Sequence, residues 1–314
     1  VTTHPERRML LDTAALYFRA FYGVPDTVRG PDGQPVNAVR GLLDMIARLA
    51  TEFEPTEIVA CWDDDWRPQW RVDLIPTYKT HRVAADAATD ADSSVEVVPD
   101  LLSPQVPIIR EVLGALGIPI IGAARHEADD VIGTLASHAS IPVDIVTGDR
   151  DLFQLVDDSR HVRVIYTGRG MSRLEILTDA SLSIKTGVTP AQYADFAALR
   201  GDASDGLPGV AGVGEKTAAM LLASWGDLDG IVAAAADPSS AMAASVRAKI
   251  LAAADYLQVA PTVVNVVRDL ALPAFDARIR SSTPDQIAAL DLLATEWGLG
   301  TSMARAREAL AGRA

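Results

Sequence analysis

Residues 143–156 read VDIVTGDRDLFQLV. Val143 to Val146 form a short apolar run that stops at Thr147-Gly148. Asp149 and Asp151 flank Arg150, and a second apolar run starts at Leu152. A short apolar run bounded by turn residues is the pattern of a fully buried strand. Two carboxylates at its carboxyl end mark the point where a buried element reaches solvent. The glycine before them is expected to let the backbone turn sharply and aim both.

The same signature recurs along the first half of the chain. Met9 to Leu11, Ile58 to Trp62, Ile118 to Ile121 and Val162 to Tyr166 are further strand candidates. Amphipathic stretches separate them. AVRGLLDMIARLATEF aligns Val39, Leu42, Leu43, Ile46, Leu49 and Phe53 on one helical stripe, and QVPIIREVLGAL and DDVIGTLASH behave alike. Strands alternating with helices imply βαβ units and an α/β core with a mostly parallel central sheet. After about residue 185 the strand signals stop, and TPAQYADFAALRG, EKTAAMLLASW and AASVRAKILAAADYL are helical patterns. The expected organisation is an α/β region over 1–184 and a helical region over 185–314, with no internal repeat of fixed period.

Composition narrows the class. The 314 residues are ample for a sizeable core, and 49% hydrophobic with 22% charged residues is a soluble, globular balance. No apolar segment approaches the ~20 residues of a membrane helix. The opening VTTHPERR lacks the basic start and long apolar core of a signal peptide. The single cysteine, Cys61, excludes an internal disulfide framework and a cysteine metal cluster, so a reducing, cytoplasmic setting is expected. With 42 acidic and 28 basic residues the formal charge is −14. On charge alone this is a solvated acidic surface that repels nucleic acid. The argument reverses where acids gather around bound cations, which invert the local field.

The acids do gather. Asp12 follows MLL, Asp63 follows IVACW, and Asp149 and Asp151 follow VDIVTG. In a parallel α/β sheet the carboxyl ends of the strands share one edge, where ligand crevices form. One aspartate at a strand end is ordinarily a turn or cap residue. Several together repel unless a cation neutralises them. In HEADDVIGTLA, Glu127 and Asp130 fall on one helix edge, and Asp129 joins them only through an irregular first turn; the alternative is plain acidic capping. In LRGDASDGLPGVAGVGEKTAAML, Asp202 and Asp205 precede glycines 206, 209, 212 and 214. The segment from Gly212 and Gly214 to Lys216 and Thr217 opens onto a helix, a phosphate-binding arrangement, where the bland alternative is a flexible linker. The spacing is not that of a nucleotide P-loop. An all-oxygen ligand set favours Mg²⁺ or Mn²⁺ over zinc. Two such ions ~4 Å apart activate a water and stabilise the leaving oxygen in phosphodiester hydrolysis. On this reading Asp149 and Asp151 are metal ligands.

Five segments together resemble the 5′-nuclease superfamily, the flap endonucleases and the 5′–3′ exonuclease domain of bacterial DNA polymerase I. They are LLDTAALYFRAF at 10–21, WRVDLIPTYKTHR at 70–82, EADDV at 127–131, TGDRDLFQLV at 147–156 and GDASDGLPGVAGVGEKTA at 201–218. The resemblance runs from about residue 8 to 295, and its last two motifs are highly specific together. No polymerase region follows, so the chain resembles a stand-alone bacterial flap endonuclease. The resemblance implies a PIN-like α/β core, an arch over about 78–105 and a helix–hairpin–helix motif over about 201–225. It implies a ligand set of Asp12, Asp63, Glu127, Asp129, Asp130, Asp149, Asp151, Asp202 and Asp205 for two, sometimes three, divalent ions. Lys79 and Arg82 would act on the scissile phosphate, Tyr78 would stack on an unpaired base, and Arg19 and Arg71 would bind phosphate. The hairpin around Gly212, Gly214, Lys216 and Thr217 would grip duplex DNA, with K⁺ bridging hairpin carbonyls and DNA.

The implied activity is cleavage of DNA at 5′ flaps, nicks, gaps or 5′ ends, including RNA–DNA primers, in replication and repair. The protein is expected to be a monomer associated with the nucleoid, with no membrane contact. Two departures stand out. CWDDDWRPQWR carries three consecutive aspartates and one extra residue, and Asp64 or Asp65 is either an added ligand or exposed. The segment from Arg82 to Pro104 is long and acidic where the arch is typically basic, and is expected to be disordered without DNA. The reading from a different class is a non-catalytic DNA-junction-binding protein that keeps the fold.

Overall fold

Strands β1 (Arg8–Asp12), β2 (Glu57–Cys61), β3 (Ile120–Ile121), β4 (Val143–Thr147), β5 (Val162–Tyr166) and β6 (Glu175–Leu177) form one sheet in the computed structural model. The structure describes residues 6–83 and 98–312. The strand order is β3-β2-β1-β4-β5-β6. All pairings from β3 to β5 are parallel, and β6 runs antiparallel at the edge. The chain order reverses between β1 and β4, which places a crevice beyond their carboxyl ends.

Alternate residues of each strand serve opposite faces. Met9 and Leu11 join a core with α2 (Asn37–Phe53) and α4 (Gln105–Ala115), through Leu43, Ile46 and Ile109. Leu10, Val59 and Ile145 join a second core with α5 (Ala128–Ser137), through Val131 and Ile132. The runs around Met9, Ile58 and Val143 read as uniformly apolar because both faces are covered. The helix α1 (Thr13–Gly23) leaves β1 directly, and a short α3 (Gln69–Leu74) follows β2.

The rest of the described chain carries eight helices joined by irregular segments: α6 (Asp179–Thr186), α7 (Tyr193–Arg200), α8 (Glu215–Trp225), α9 (Leu228–Ala236), α10 (Ala244–Ala252), α11 (Ala254–Val264), α12 (Pro284–Glu296) and α13 (Gly300–Ala311). Phe196, Leu221 and Ile231 of α7, α8 and α9 continue the second core. Among the described residues no single helix is long and apolar enough to cross a membrane; α8 and α9 reach that composition only together, across an 82° bend.

Three features differ from the sequence reading. Strand β6 has no counterpart in it; three residues are too few to show a period, and Ile176 at the strand's centre is exposed. The apolar run from Ile118 is strand only over Ile120–Ile121, because the Ile118 amide closes the end of α4 on the Leu113 carbonyl. GTSMARAREALAGR reads as an ordinary surface helix, yet α13 lies along α2 and buries Met303, Ala306 and Leu310 in the first core. Two of its four buried residues, Ser302 and Ala306, are small and carry little hydrophobic signal. The expectation of a disordered arch falls on residues 84–97, outside the described residues.

Candidate active site

The end of β4 is ordered by a relay of hydrogen bonds rather than by its glycine. Thr147 Oγ1 donates to Asp12 Oδ2 at 2.7 Å and accepts the Asp149 amide at 2.8 Å. Asp149 Oδ1 then accepts the Asp151 amide at 2.9 Å. Gly148 does not adopt a positive φ, and an added Cβ would meet Thr167 Oγ1 at an ordinary 3.4 Å. The sharp turn expected of Gly148 is thus set by the Thr147 hydroxyl, which binds the carboxyl ends of β1 and β4 together.

Asp63 lies just past β2, and its Oδ1 accepts the Ala128 amide at 2.7 Å at the start of α5. Glu127 caps α5 in a reciprocal box with Asp130. The two then diverge from Asp129 as their helical spacing requires. Asp129 faces a cleft of ≈ 730 Å³, lined also by Asp12, Asp63, Glu127, Asp149 and Asp202. Asp130 is fully buried behind it and accepts Arg71 Nη1 and Nη2 at 3.0 and 2.7 Å, and the Val267 amide at 2.8 Å.

Arg71 also donates to Glu127 Oε1 at 2.9 Å, and the Tyr78 hydroxyl donates to the same oxygen at 2.7 Å. Lys79 donates to Glu127 Oε2. Arg71 and Tyr78 are only 3% and 4% exposed, and neither they nor Asp130 line the cleft. Once buried, the guanidinium needs carboxylates on its own side, and the network that supplies them draws Tyr78 inward. Arg19, Lys79 and Arg82 do line the cleft.

The turn after α7 reaches the same place. Asp202 accepts Arg200 Nη2 at 2.9 Å and the Ser204 amide at 2.8 Å. The Asp205 carbonyl accepts the Lys79 amide at 2.9 Å, and its Oδ1 lies 3.4 Å from Arg82 Nη2. Lys79 holds a left-handed φ of 49°. Such a backbone persists only where its surroundings over-determine it, and here both the amide and the ammonium are tied. Gly206, at φ 69°, presses so close to Thr77 that a Cβ would sit 2.1 Å from the Thr77 carbonyl oxygen.

Burial and mutual repulsion shape the charges. Burial, then Asp63 and Asp149, push Asp12 up to about 7. Burial raises Asp63, and burial with Asp149 raises Asp129 and Asp151 well above the usual carboxylate range. Burial brings Asp205 to about 6, although Lys79 opposes it. Burial would raise Glu127 too, but the Lys79 ammonium and Arg71 guanidinium outweigh it and hold Glu127 low.

A divalent ion fits this donor set in chemistry and charge. Asp151 Oδ1 is buried with no hydrogen-bond partner, and so is Arg19 Nε on the cationic side. Among the described residues, however, no three His, Cys, Asp or Glu side chains are arranged to hold one ion directly. Asp12, Asp63, Asp149 and Asp202 are each turned aside by a local hydrogen bond, so the carboxylates ring the cleft rather than converge.

Behind Asp205 the glycine-rich segment turns with positive φ at Gly209 and Gly212. Gly214 enters α8 in an extended conformation with no side-chain cap, and nothing lies within 4 Å of where its Cβ would be. Lys216 beside it is exposed and Thr217 half-buried. The Gly212 carbonyl accepts Lys249 Nζ at 2.8 Å. Sequence reasoning missed Lys249, which lies far along the chain in α10. It also missed Trp66 and Arg150, which line the cleft. The Trp-Arg pair after the triple aspartate was the available signal for Trp66.

Two family models match adjoining parts of the chain. The 5′-3′ exonuclease N-terminal resolvase-like domain covers residues 7–187, and the 5′-3′ exonuclease C-terminal SAM fold covers residues 188–286. The chain belongs to the 5′-3′ exonuclease family. A Streptomyces coelicolor 5′-3′ exonuclease is 57% identical over 297 residues, spanning 95% of this chain and 98% of that one. DNA polymerase I of Mycobacterium bovis is 43% identical over 228 residues, covering 71% of this chain and 24% of the polymerase. A T5 5′-exonuclease solved with divalent zinc ions shares the fold at a TM-score of 0.62 and 15% identity, over 97% of this chain and 98% of that one. The exonuclease family thus accounts for both halves of the chain, and the carboxylate ring lies at the carboxyl edge of its resolvase-like sheet.

Proposed function

We propose that this protein is a divalent-metal-dependent, structure-specific 5′ nuclease that hydrolyses DNA phosphodiesters at 5′ flaps, nicks, gaps and 5′ ends, RNA–DNA primers included. The observation that carries the reading is the ring of carboxylates at the β1–β4 switch point, where burial first and mutual repulsion second raise several of them, and where the buried Asp151 Oδ1 atom has no hydrogen-bond partner. Such a ring is stable when charged only if cations enter it. Asp12, Asp63, Asp129, Asp149, Asp151, Asp202 and Asp205 would hold two or three Mg²⁺ or Mn²⁺ ions, with Glu127 beside them. Mg²⁺ keeps several of its waters, so carboxylates spread around a cleft suit it better than a closed cage. Ions held there would supply an activated water and charge stabilisation for the leaving oxygen.

The protein's own side chains do the rest. Asp12, Asp129 and Asp151 would hold such ions in their deprotonated forms, which their burial disfavours in the metal-free fold. Lys79 leaves Glu127 and, with Arg82, takes the scissile phosphate. Arg19, whose Nε lacks a partner, steadies the same phosphate from α1. The uncapped amides of Gly214 and α8, with Lys216 and Thr217, grip duplex phosphates in the manner of a helix–hairpin–helix motif. A K⁺ ion at that hairpin would use carbonyls other than Gly212, whose oxygen is taken by Lys249. Asp130 and Arg71 hold the ring from behind. The protein acts as a monomer, in the cytoplasm with the nucleoid.

Cleavage of a 5′-labelled flap duplex with Mg²⁺, with Mn²⁺ and with EDTA tests the reading. Metal-dependent cuts near the junction are expected, and none in EDTA. Flap binding without cleavage in every metal would overturn it in favour of a junction-binding protein.

A further inference from the structure

The two carboxylate oxygens of Glu127 meet different kinds of neighbour. Oε1 accepts the Tyr78 hydroxyl at 2.7 Å and Arg71 Nη1 at 2.9 Å. Oε2 accepts Lys79 Nζ. The donors on Oε1 are fixed in place. Arg71 also donates through Nε to the Val263 carbonyl at 3.2 Å, grips Asp130 with both terminal nitrogens, and lies 4.5 Å from the centre of the Trp70 ring. Tyr78 packs in a small core with Ala197 of α7, Leu207, and Ala260 of α11, and its carbonyl accepts Arg67 Nε at 2.6 Å. Both side chains are buried away from the cleft, whereas Lys79 and Glu127 line it. One oxygen of Glu127 is thus held from the rear by buried groups. The other is held by the long side chain of a cleft residue.

A glutamate carboxylate turns about its last side-chain bond with little preference, so either oxygen could face the cleft. Two donors on Oε1 remove that freedom. We infer that Tyr78 is a positioning residue: its hydroxyl, with Arg71, anchors Glu127 Oε1 and leaves Oε2 as the one oxygen the cleft can use. Oε2 would then pass from the Lys79 ammonium to a divalent ion or to one of the ion's waters, and the same exchange frees Lys79 for phosphate. Tyr78 serves this carboxylate rather than a base of the DNA. The inference rests on the metal-dependent nuclease reading above and deepens it.

The test compares the full chain with Tyr78→Phe, which keeps the ring in its core and removes only the hydroxyl. Mn²⁺ is titrated into each protein without DNA, and uptake is read from the electron paramagnetic resonance of the free ion. Loss of a group that orients a metal-facing carboxylate typically weakens metal binding about 10–100-fold, so Tyr78→Phe is expected to bind Mn²⁺ roughly 10-fold more weakly. Flap affinity in EDTA should match the wild type. Cleavage by Tyr78→Phe should fall at limiting Mn²⁺ and return at saturating Mn²⁺, with KM for the flap unchanged; a role confined to stability would not be rescued in this way. An unchanged Mn²⁺ affinity in Tyr78→Phe overturns the inference, whether or not the protein cuts. So does flap binding in EDTA that falls while Mn²⁺ affinity holds, because Tyr78 would then meet DNA. A wild type that binds Mn²⁺ and leaves every flap uncut fails the nuclease reading alone, and one that takes up no Mn²⁺ overturns both.

Discussion

Arg71 holds Asp130 through two parallel hydrogen bonds, at 3.0 and 2.7 Å, with both side chains shut away from water. The pair stands directly behind the carboxylate ring and joins α3 to α5, while the Val267 amide ties the helical region to the same carboxylate. Asp130 therefore serves the fold, although it sits one residue from Asp129 in the cleft.

Removing Asp130 should expose that distinction. Asp130→Ala leaves a buried guanidinium short of its partner, a change that costs about 3–5 kcal/mol. Urea denaturation should show a lower midpoint with or without Mg²⁺. An unchanged midpoint would return Asp130 to the cleft.

Asp149→Asn should do the opposite. The new side-chain amide would keep an oxygen to accept the Asp151 amide and remove a charge that raises Asp12, Asp129, Asp151 and Asp205. The metal-free variant should melt roughly 2–4 °C higher, the shift expected of ~1 kcal/mol. Flap cleavage should fall about 10²–10³-fold, the scale of losing one electrostatic contact to the transition state. Calorimetry and single-turnover cleavage check the two halves separately.

The pH dependence follows from the raised carboxyls. Asp12 titrates at about 7 and Asp205 at about 6 in the fold, against an ordinary 3.8 for each. A folded pKa above the unfolded one contributes stability that is complete below the unfolded value and is lost as pH rises through the folded one. Metal-free melting temperature should therefore fall between pH 5 and pH 8. Mg²⁺ should raise it more at pH 8 than at pH 5, because the ion needs the charged forms. At limiting Mg²⁺, cleavage should climb over the same range. A metal-free melting temperature that rises with pH here would contradict the assignment.

Lys216 reports on duplex contact. Lys216→Ala should weaken binding to any duplex sequence and reduce the slope of log K against log salt by about 1. An unchanged slope would remove Lys216 from the phosphate grip.

Much of the fold was legible because β1, β2, β4 and β5 are buried on both faces and so read as unbroken apolar runs. The carboxylate ring was legible because topology brings strand ends together, and Asp12, Asp63 and Asp149 each follow such a run. Periodicity pairs Glu127 with Asp130 correctly, since both meet Arg71, but it does not say that Asp130 is shut behind the cleft while Glu127 also lines it. Which carboxylates face a cation and which face the cleft depends on Arg71, 56 residues before Glu127. Tyr78 escapes a local reading for the same reason. Its partner Glu127 lies 49 residues away, and nothing near Tyr78 in the sequence signals burial. The α13 helix reads as a surface helix, and its burial is missed because two of its four buried residues, Ser302 and Ala306, are small.

That helix has a consequence for how the molecule comes into being. The chain returns from the helical region along β2, where the Ile58 amide meets the Ala277 carbonyl and the Ile279 amide meets the Thr56 carbonyl, both at 2.9 Å. It then lays Leu299, Met303 and Leu310 over the core that Met9 and Leu43 belong to. During synthesis the first half of the sheet leaves the ribosome long before its cover does. The apolar flank of α2 that α13 covers is therefore completed only by the last helix described, and apolar surface left open in a partly made chain is the kind that favours aggregation.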